Sequence, residues 1–296
     1  MKRKVFVDGS AGTTGLKINE LLAARKDIEV ITLPEALRKD VKARQDAINS
    51  SDVTFLCLPD AAAIEAASLC TNKKTVIIDT STAHRCDDKW TYGFPEIRGL
   101  GKKIKKSKRI ANPGCHASGF IAIISPLIEK GILKPTARLT CHSLTGFSGG
   151  GKKMIADYAE AKYLGGRQYA LGQQHKHLPE MVKYTGLKYA PCFSPIVVPH
   201  YSGMEVTVPL FAKDVKGGME AIKECYRKYY KNAAKVRFVD DSADGGFLSS
   251  EQLSGRDDME ISVYGNKDRI MLVALFDNLG KGASGAAIQN MELCLC

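Results

Sequence analysis

The sequence predicts an α/β domain built on a parallel sheet, followed by an α+β domain with a mixed or antiparallel sheet and helices on one face. Three observations carry this. Strand and helix signals alternate from residue 4 to residue 81, glycines at 9, 12 and 15 mark the first strand–helix junction, and after Pro113 the strand candidates turn period-two. The 296 residues suffice for two cores. The first domain is expected over 1–113 with a returning C-terminal helix at 279–296, and the second over 114–278.

KVFVDG (4–9), IEVITL (28–33), DVTFLCLP (52–59, stopped by Pro59) and TVIIDTS (75–81) read as strands. They are apolar almost throughout, which predicts a parallel sheet covered on both faces. TTGLKINELLAAR (13–25) has Leu16, Leu21 and Leu22 near one helical face, and AAAIEAASLC (61–70) is a second helix. Beyond Pro113, strands are expected at 138–148, 190–199, 203–211, 235–241, 259–265 and 269–276, with a helix at 219–230. GASGAAIQNMELC closes the chain as a helix rich in small residues.

Composition narrows the function. No apolar run reaches the roughly 18 residues of a membrane span, and the basic start lacks an apolar region of signal-peptide length. Nine cysteines with no CxxC predict reduced thiols in a cytoplasmic setting, and no Cys/His spacing suits a metal. The net charge is +11, densest in GKKIKKSKR (101–109), which reads as a solvated loop before a strand. No aromatic residues interleave it, so an attraction for anionic small molecules is expected and nucleic acid is not.

VFVDGSAGTTGLKI places Gly9, Ser10, Gly12, Thr13, Thr14 and Gly15 between the first strand and the first helix. Small residues let backbone approach a pyrophosphate, and the helix N-terminus supplies donors and positive potential. This makes the first domain a Rossmann-type nucleotide-binding domain. The second strand runs into TLPEALRKD, where Glu35 could bind ribose hydroxyls and Arg38 and Lys39 could meet the 2′-phosphate of NADP.

RIANPGCHASGF (109–120) puts Cys115 at the mouth of an apolar helix, where a thiol ionises most easily. The plainer alternative is a small buried cysteine in a turn. A nucleotide domain followed by such a thiol suggests attack on an acyl phosphate, then reduction of the thioester by NADPH, with a histidine to move protons. Of six histidines, His142 reads as a core or sheet residue, His116 as projecting away from the thiol, His84 as following the fourth strand, and His200 as lying in a turn. His175 and His177, in QQHKHLPEM beside Glu180, stand out.

NPGCHASG, DGSAGTTG, IDTSTAHR, YGFPEI, GFSGGGKKMI, HKHLPE and DNLGKGASGAAIQN, in order along nearly the whole chain, resemble the N-acetyl-gamma-glutamyl-phosphate reductase family in its shorter form. The fold and thiol chemistry are shared with aspartate-semialdehyde dehydrogenases. HKHLPE and SGGGKKMI favour the former. The resemblance implies that Cys115 is the nucleophile and that one of His175 and His177, with a lean to His177, is the acid/base. It implies that the Gly12–Gly15 loop holds the NADP phosphates, that Cys57, Leu58 and Pro59 line the adenosine side, and that Ser81, Ser118 and Gly119 face the nicotinamide. Asn278 would reach the cofactor from the returning segment. Ser148, Gly149, Gly150 and Lys152, with His175 and Glu180, would hold the substrate. Two positions depart from the family pattern: His116 stands where an aromatic, usually Tyr, is common, and Ser118 where Thr is common.

The expected activity is therefore NADPH-dependent reduction of N-acetyl-gamma-glutamyl phosphate to the semialdehyde through a Cys115 thioester, by a cytoplasmic homo-oligomer, dimer or tetramer. The alternatives are a semialdehyde dehydrogenase acting on aspartate or aminoadipate derivatives, the matching step on a carrier-protein-linked substrate, a non-catalytic NADP-binding sensor and, weakest, a nucleic-acid binder.

Overall fold

The computed structural model describes residues 2–97 and 99–296, which form two compact units. The first joins the segment up to Pro113 with Ala283–Cys296, and the second is Gly114–Gly282.

In the first unit the elements are β1 (Arg3–Asp8), α1 (Thr13–Ala23), β2 (Ile28–Ile31), α2 (Val41–Ser50), β3 (Val53–Leu56), α3 (Asp60–Ser68), β4 (Val76–Asp79), β5 (Thr91–Tyr92), α4 (Leu100–Ile104) and β6 (Arg109–Ala111). The strands form one parallel sheet in the order β2-β1-β3-β4-β6-β5. Every residue of β3 and β4 is buried, as expected for a sheet covered on both faces. The register Val5↔Val53 and Val53↔Val76 aligns the C-terminal ends of β1, β3 and β4, where open α/β sheets bind ligands.

The second unit runs α5 (Cys115–Glu129), β7 (Thr140–Gly146), α6 (Gly151–Ala159), β8 (Arg167–Gln168), α7 (Leu178–Thr185), β9 (Cys192–Val198), β10 (Met204–Phe211), α8 (Gly218–Tyr230), β11 (Val236–Phe238), β12 (Met259–Gly265) and β13 (Arg269–Phe276). Its sheet is mixed, in the order β11-β12-β13-β10-β7-β9-β8. The pairs β7–β9 and β11–β12 are parallel and the others antiparallel. α5 is buried continuously from His116 to Leu127, so it is enclosed on all sides. The last helix, α9 (Gly285–Leu295), belongs to the first unit.

Several expectations are corrected. Leu16 is 52% exposed, because the buried stripe of α1 is Gly15, Ile18 and Leu22. The lysine-rich stretch from Gly101 is not all loop: Leu100–Ile104 is helical, anchored by buried Leu100 and Ile104, and only the segment after it is a turn into β6. His142 does lie in the sheet, but on the exposed face of β7, not in the core. The C-terminal helix starts at Gly285, preceded by a π turn over Gly280–Ser284.

Candidate active site

The first unit carries a dinucleotide cradle. β1 ends at Asp8 and the chain turns at Gly9 with φ +85°. A Cβ there would run into the Cys57 carbonyl, and a Cβ at Gly15 would lie 2.5 Å from the Gly9 carbonyl oxygen. Only glycine permits this turn beside β3 and the start of α1. α1 opens at Gly12 with no side-chain cap and no acid in its first turn, so its N–H groups and positive potential remain for an anion. Thr13 Oγ1 is buried without a hydrogen-bond partner, an arrangement that a phosphate oxygen would satisfy. Ser10 is half-buried on the same loop, and Thr14 accepts a bond from Ser284 Oγ through its carbonyl at 3.3 Å. These features fit NADP.

Cys57 N–H donates to the Asp8 carbonyl at 2.8 Å, which ties the two strand ends together, and Pro59 precedes α3 after Leu58. Burial pushes the Cys57 thiol up to about 12, so it stays protonated and unreactive. Arg38 and Lys39 are exposed after a short turn at Glu35–Leu37, free of burial constraints. Arg38→Ala is expected to raise the KM for NADPH about tenfold and leave that for NADH unchanged, the loss of one charge-assisted bond to the 2′-phosphate. Gly9→Ala is expected to lower stability by about 2 kcal/mol and to weaken NADPH binding in parallel, read by thermal melts and fluorescence titration.

Ser81 Oγ donates to Asp79 Oδ2 at 2.8 Å, and the Ser81 N–H donates to Oδ1 at 2.9 Å. The same carboxylate holds His84 Nδ1 at 2.7 Å, with the ring stacked on Trp90. Sequence reasoning missed Arg44. It is buried, with Nε and one terminal nitrogen 3.1 and 3.0 Å from Asp8 Oδ2. Burial raises the Asp8 carboxyl, and Arg44 opposes that rise.

In the second unit Cys115 is the first residue of α5. Gly114 caps the helix with extended geometry, there is no side-chain cap, and the first turn has no acid. A negative sulfur is therefore favoured. The turn at Gly280–Ser284 presses on it: a Cβ on Gly282 would lie 3.0 Å from Cys115 Cβ. Lys281, in that turn and 2% exposed, is a second residue that sequence reasoning missed.

α5 packs against α7, which brings Glu180 to the thiol's helix. Glu180 is 1% exposed; one oxygen accepts the Gly114 N–H at 3.2 Å and the other lies 4.0 Å from His177 Nε2. His177 precedes α7, whose second residue is Pro179. Its N–H donates to His175 Nδ1 at 3.1 Å, and the two rings are 4.6 Å apart. An accepting Nδ1 leaves the His175 proton on Nε2. The loop that presents the pair is pinned by Gln173, whose side-chain amide exchanges two 2.8 Å bonds with the Phe193 backbone. Ala170 and Gln173 adopt φ +52° and +56°, so the loop carries strain that these bonds offset.

His116, read as projecting away from the thiol, reaches the two histidines. It is 2% exposed, with Nδ1 2.7 Å from Ser143 Oγ and Nε2 2.7 Å from Tyr169 Oη. Its ring is 5.5 Å from those of His175 and His177. Burial, then His175, pushes its pKa down to about 3, so it is neutral at any working pH. Burial raises the Tyr169 phenol, and so does the Cys115 charge.

Ser118 turns back on its own helix, with Oγ 3.1 Å from the Gly114 carbonyl. Gly119, expected at the nicotinamide, has another reason to be glycine: a Cβ would lie 2.5 Å from Val206 and 2.8 Å from Phe276, so it lets α5 press on β10 and β13. Asn278 accepts from Gly203 N–H at 2.9 Å and donates to the buried Ser148 Oγ at 3.0 Å, so it braces the loop that carries Ser148 and Gly149. Gly150 lies against Met154, and Lys152 is exposed on α6. Among the described residues no group of three or more His, Cys, Asp or Glu is arranged to hold a metal, and no helix is long and apolar enough to cross a membrane.

Known proteins share both halves. The family model described as semialdehyde dehydrogenase, dimerisation domain, matches residues 115–278, and the model for the semialdehyde dehydrogenase NAD binding domain matches 34–107. The chain is 43% identical over 308 aligned positions to an N-acetyl-gamma-glutamyl-phosphate reductase of Rhizobium meliloti, with 100% of this chain and 99% of the relative covered. It is 42% identical to one of Brucella ovis, over 308 positions and the same shares. Among solved structures it superposes on aspartate semialdehyde dehydrogenase from Francisella tularensis with TM-score 0.74 at 14% identity, covering 100% of both chains. It superposes on the Candida albicans enzyme with NADP with TM-score 0.73 at 18% identity, covering 98% of each. These last likenesses concern the fold.

Proposed function

The chain belongs to the N-acetyl-gamma-glutamyl-phosphate reductases of the semialdehyde dehydrogenase family, and from that premise we propose how its residues divide the work. It is an NADP-dependent oxidoreductase of amino-acid biosynthesis that converts N-acetyl-gamma-glutamyl phosphate to N-acetylglutamate 5-semialdehyde and phosphate. The observation that carries this reading is Glu180, one carboxylate that accepts the N–H of the residue before Cys115 and lies 4.0 Å from His177 Nε2.

The Cys115 thiolate attacks the acyl carbon, a C–S bond forms, and the C–O bond to phosphate breaks. The N-terminus of α5 would place its positive end toward the charge that develops on the carbonyl oxygen. NADPH, when bound, supplies the hydride that reduces the resulting thioester. His177, paired with Glu180, delivers the proton to the oxygen of the hemithioacetal and later removes it as the thiolate is expelled. His175, whose ring lies 4.6 Å from that of His177, would help hold the substrate. The loop around Gly12, Thr13 and Gly15 would hold the cofactor's phosphates, and Arg38 and Lys39 its 2′-phosphate.

The exposed Phe211 (60%) and Met271 (36%) on the second sheet support assembly of a homo-oligomer through that unit. Nine cysteines without a CxxC spacing support a reducing, cytoplasmic setting. The test is NADP⁺ reduction with N-acetylglutamate semialdehyde. Strict dependence on phosphate, and no turnover of aspartate semialdehyde, is the expected result. Turnover of aspartate semialdehyde instead would overturn the substrate, and binding of NADPH with no turnover of either would overturn the enzyme reading.

A further inference from the structure

We propose that Asp277 is a positioning residue for the thiol site: its carboxylate clamps the turn from Leu279 to Gly282 against the side chain of Cys115 and so holds one wall of the space in which the sulfur meets the acyl carbon.

This deepens the proposed function and rests on Cys115 being the reacting group. Asp277 directly follows β13 and is 2% exposed. Its carboxylate accepts four hydrogen bonds. The Leu279 and Gly280 N–H groups donate to Oδ1 at 2.6 and 2.8 Å, and Ser202 Oγ and the Gly255 N–H donate to Oδ2 at 2.8 and 2.5 Å. Ser202 gives its proton to the carboxylate, so Ser254, whose hydroxyl meets that of Ser202, is the donor in their contact. The backbone adds a further tie, the Gly282 N–H donating to the Asp277 carbonyl at 2.9 Å. One buried carboxylate thus joins the turn to two other loops, the one before β10 and the one around Ser254.

The turn is seated closely at both ends. A Cβ on Gly280 would lie 1.9 Å from the Arg256 carbonyl oxygen, and one on Gly282 would lie 3.0 Å from both the Asp277 carbonyl oxygen and Cys115 Cβ. Gly282 therefore packs its backbone on the thiol residue, and Asp277 fixes where that backbone sits. A cysteine side chain has three staggered settings, and a wall at its Cβ restricts which of them is open. The next residue, Asn278, braces the loop of Ser148, so the end of β13 sets both the thiol wall and the proposed substrate loop. Asp277→Asn keeps the size and one acceptor oxygen but turns an NH2 group on two of the four donors. A shift of about 1 Å in a reacting group can cost up to roughly a hundredfold in rate.

The experiment is iodoacetamide labelling of the full chain across about pH 7–10, with each cysteine peptide read by mass spectrometry, beside turnover. In Asp277→Asn the plateau labelling rate of Cys115 at high pH is expected to rise roughly tenfold, because a released wall leaves the sulfur more open, while kcat falls roughly tenfold and the KM for NADPH stays unchanged. Cys141, buried on β7 of the same unit, is the control: it stays unlabelled when only the turn has moved. Gly282→Ala, which displaces the turn and leaves the carboxylate in place, is expected to give the same pattern, and the double variant no more than the larger single effect. Unchanged Cys115 labelling and kcat in folded Asp277→Asn, effects that add in the double variant, or labelling of Cys141 in step with Cys115 would overturn the clamp, the last because it marks general loosening. If Asp277→Asn does not fold, Gly282→Ala decides by the same two readouts. A wild-type chain that labels at Cys115 and turns over no substrate would instead strike the proposed function, and the labelling comparison would still judge the clamp.

Discussion

Cys115→Ala is expected to abolish phosphate-dependent NADP⁺ reduction, with a loss of roughly ten-thousand-fold or more, while NADPH binding stays intact. The substitution removes the sulfur that becomes covalently bound. Little else changes: Cys115 is half-buried at the first position of α5, and Ala is a good helix former. Thermal unfolding should therefore stay within a few degrees of wild type. Cys115→Ser should be nearly as inactive. The helix N-terminus contributes about 0.3–1 kcal/mol toward a negative charge, under one pKa unit. That suffices to help a thiol and falls far short for a hydroxyl. Side-by-side assays of the three proteins, with melting curves, check this. Residual activity within tenfold of wild type would remove Cys115 from the mechanism.

Glu180→Gln is expected to lower kcat by roughly a hundredfold to a thousandfold with little change in fold. The amide oxygen still accepts the Gly114 N–H, so the cap of the thiol helix survives. The negative charge 4.0 Å from His177 Nε2 is lost. A nearby carboxylate orients and supports a donating ring, so the proton transfer proposed for His177 is expected to slow, read as a fall in kcat with the KM for NADPH unchanged. Glu180→Ala should do worse. It leaves the Gly114 N–H buried without its acceptor and opens a cavity beside α5, so about 2 kcal/mol of stability goes with the activity.

Much of the site was legible because its signals are local. Gly9, Gly12 and Gly15 sit between a strand and a helix in a dozen residues, and Cys115 follows Pro-Gly at the head of an apolar run. Four of the six strands of the parallel sheet were readable, β3 and β4 because they are apolar on both faces, whereas the two-residue β5 and three-residue β6 are too short to carry a pattern. What was not legible lies in contacts between distant residues. Tyr169 meets His116 across 53 positions, and nothing near either residue announces it. The positive φ values at Ala170 and Gln173 fall on residues that give no turn signal. α2 was not foreseen because VKARQDAINS is mostly polar, and its buried stripe is Arg44, Ala47 and Ile48; the Asp40 cap, accepting from Ala43 N–H at 2.7 Å, was its one local mark. The resemblance places Gly119 at the nicotinamide, and the close packing of α5 on β10 and β13 at that glycine was not visible in the sequence.

Nucleophile, carboxylate, both histidines and the tyrosine all come from Gly114–Gly282, while the glycine cradle lies wholly in the other unit. On the roles proposed above, the chain would join an acyl-transfer module to a redox module, and the acyl group would be captured by residues outside the unit that carries the nucleotide loop. Lineages could therefore trade the fate of the thioester, whether hydride, water or another thiol receives it, by altering one module while inheriting the other unchanged.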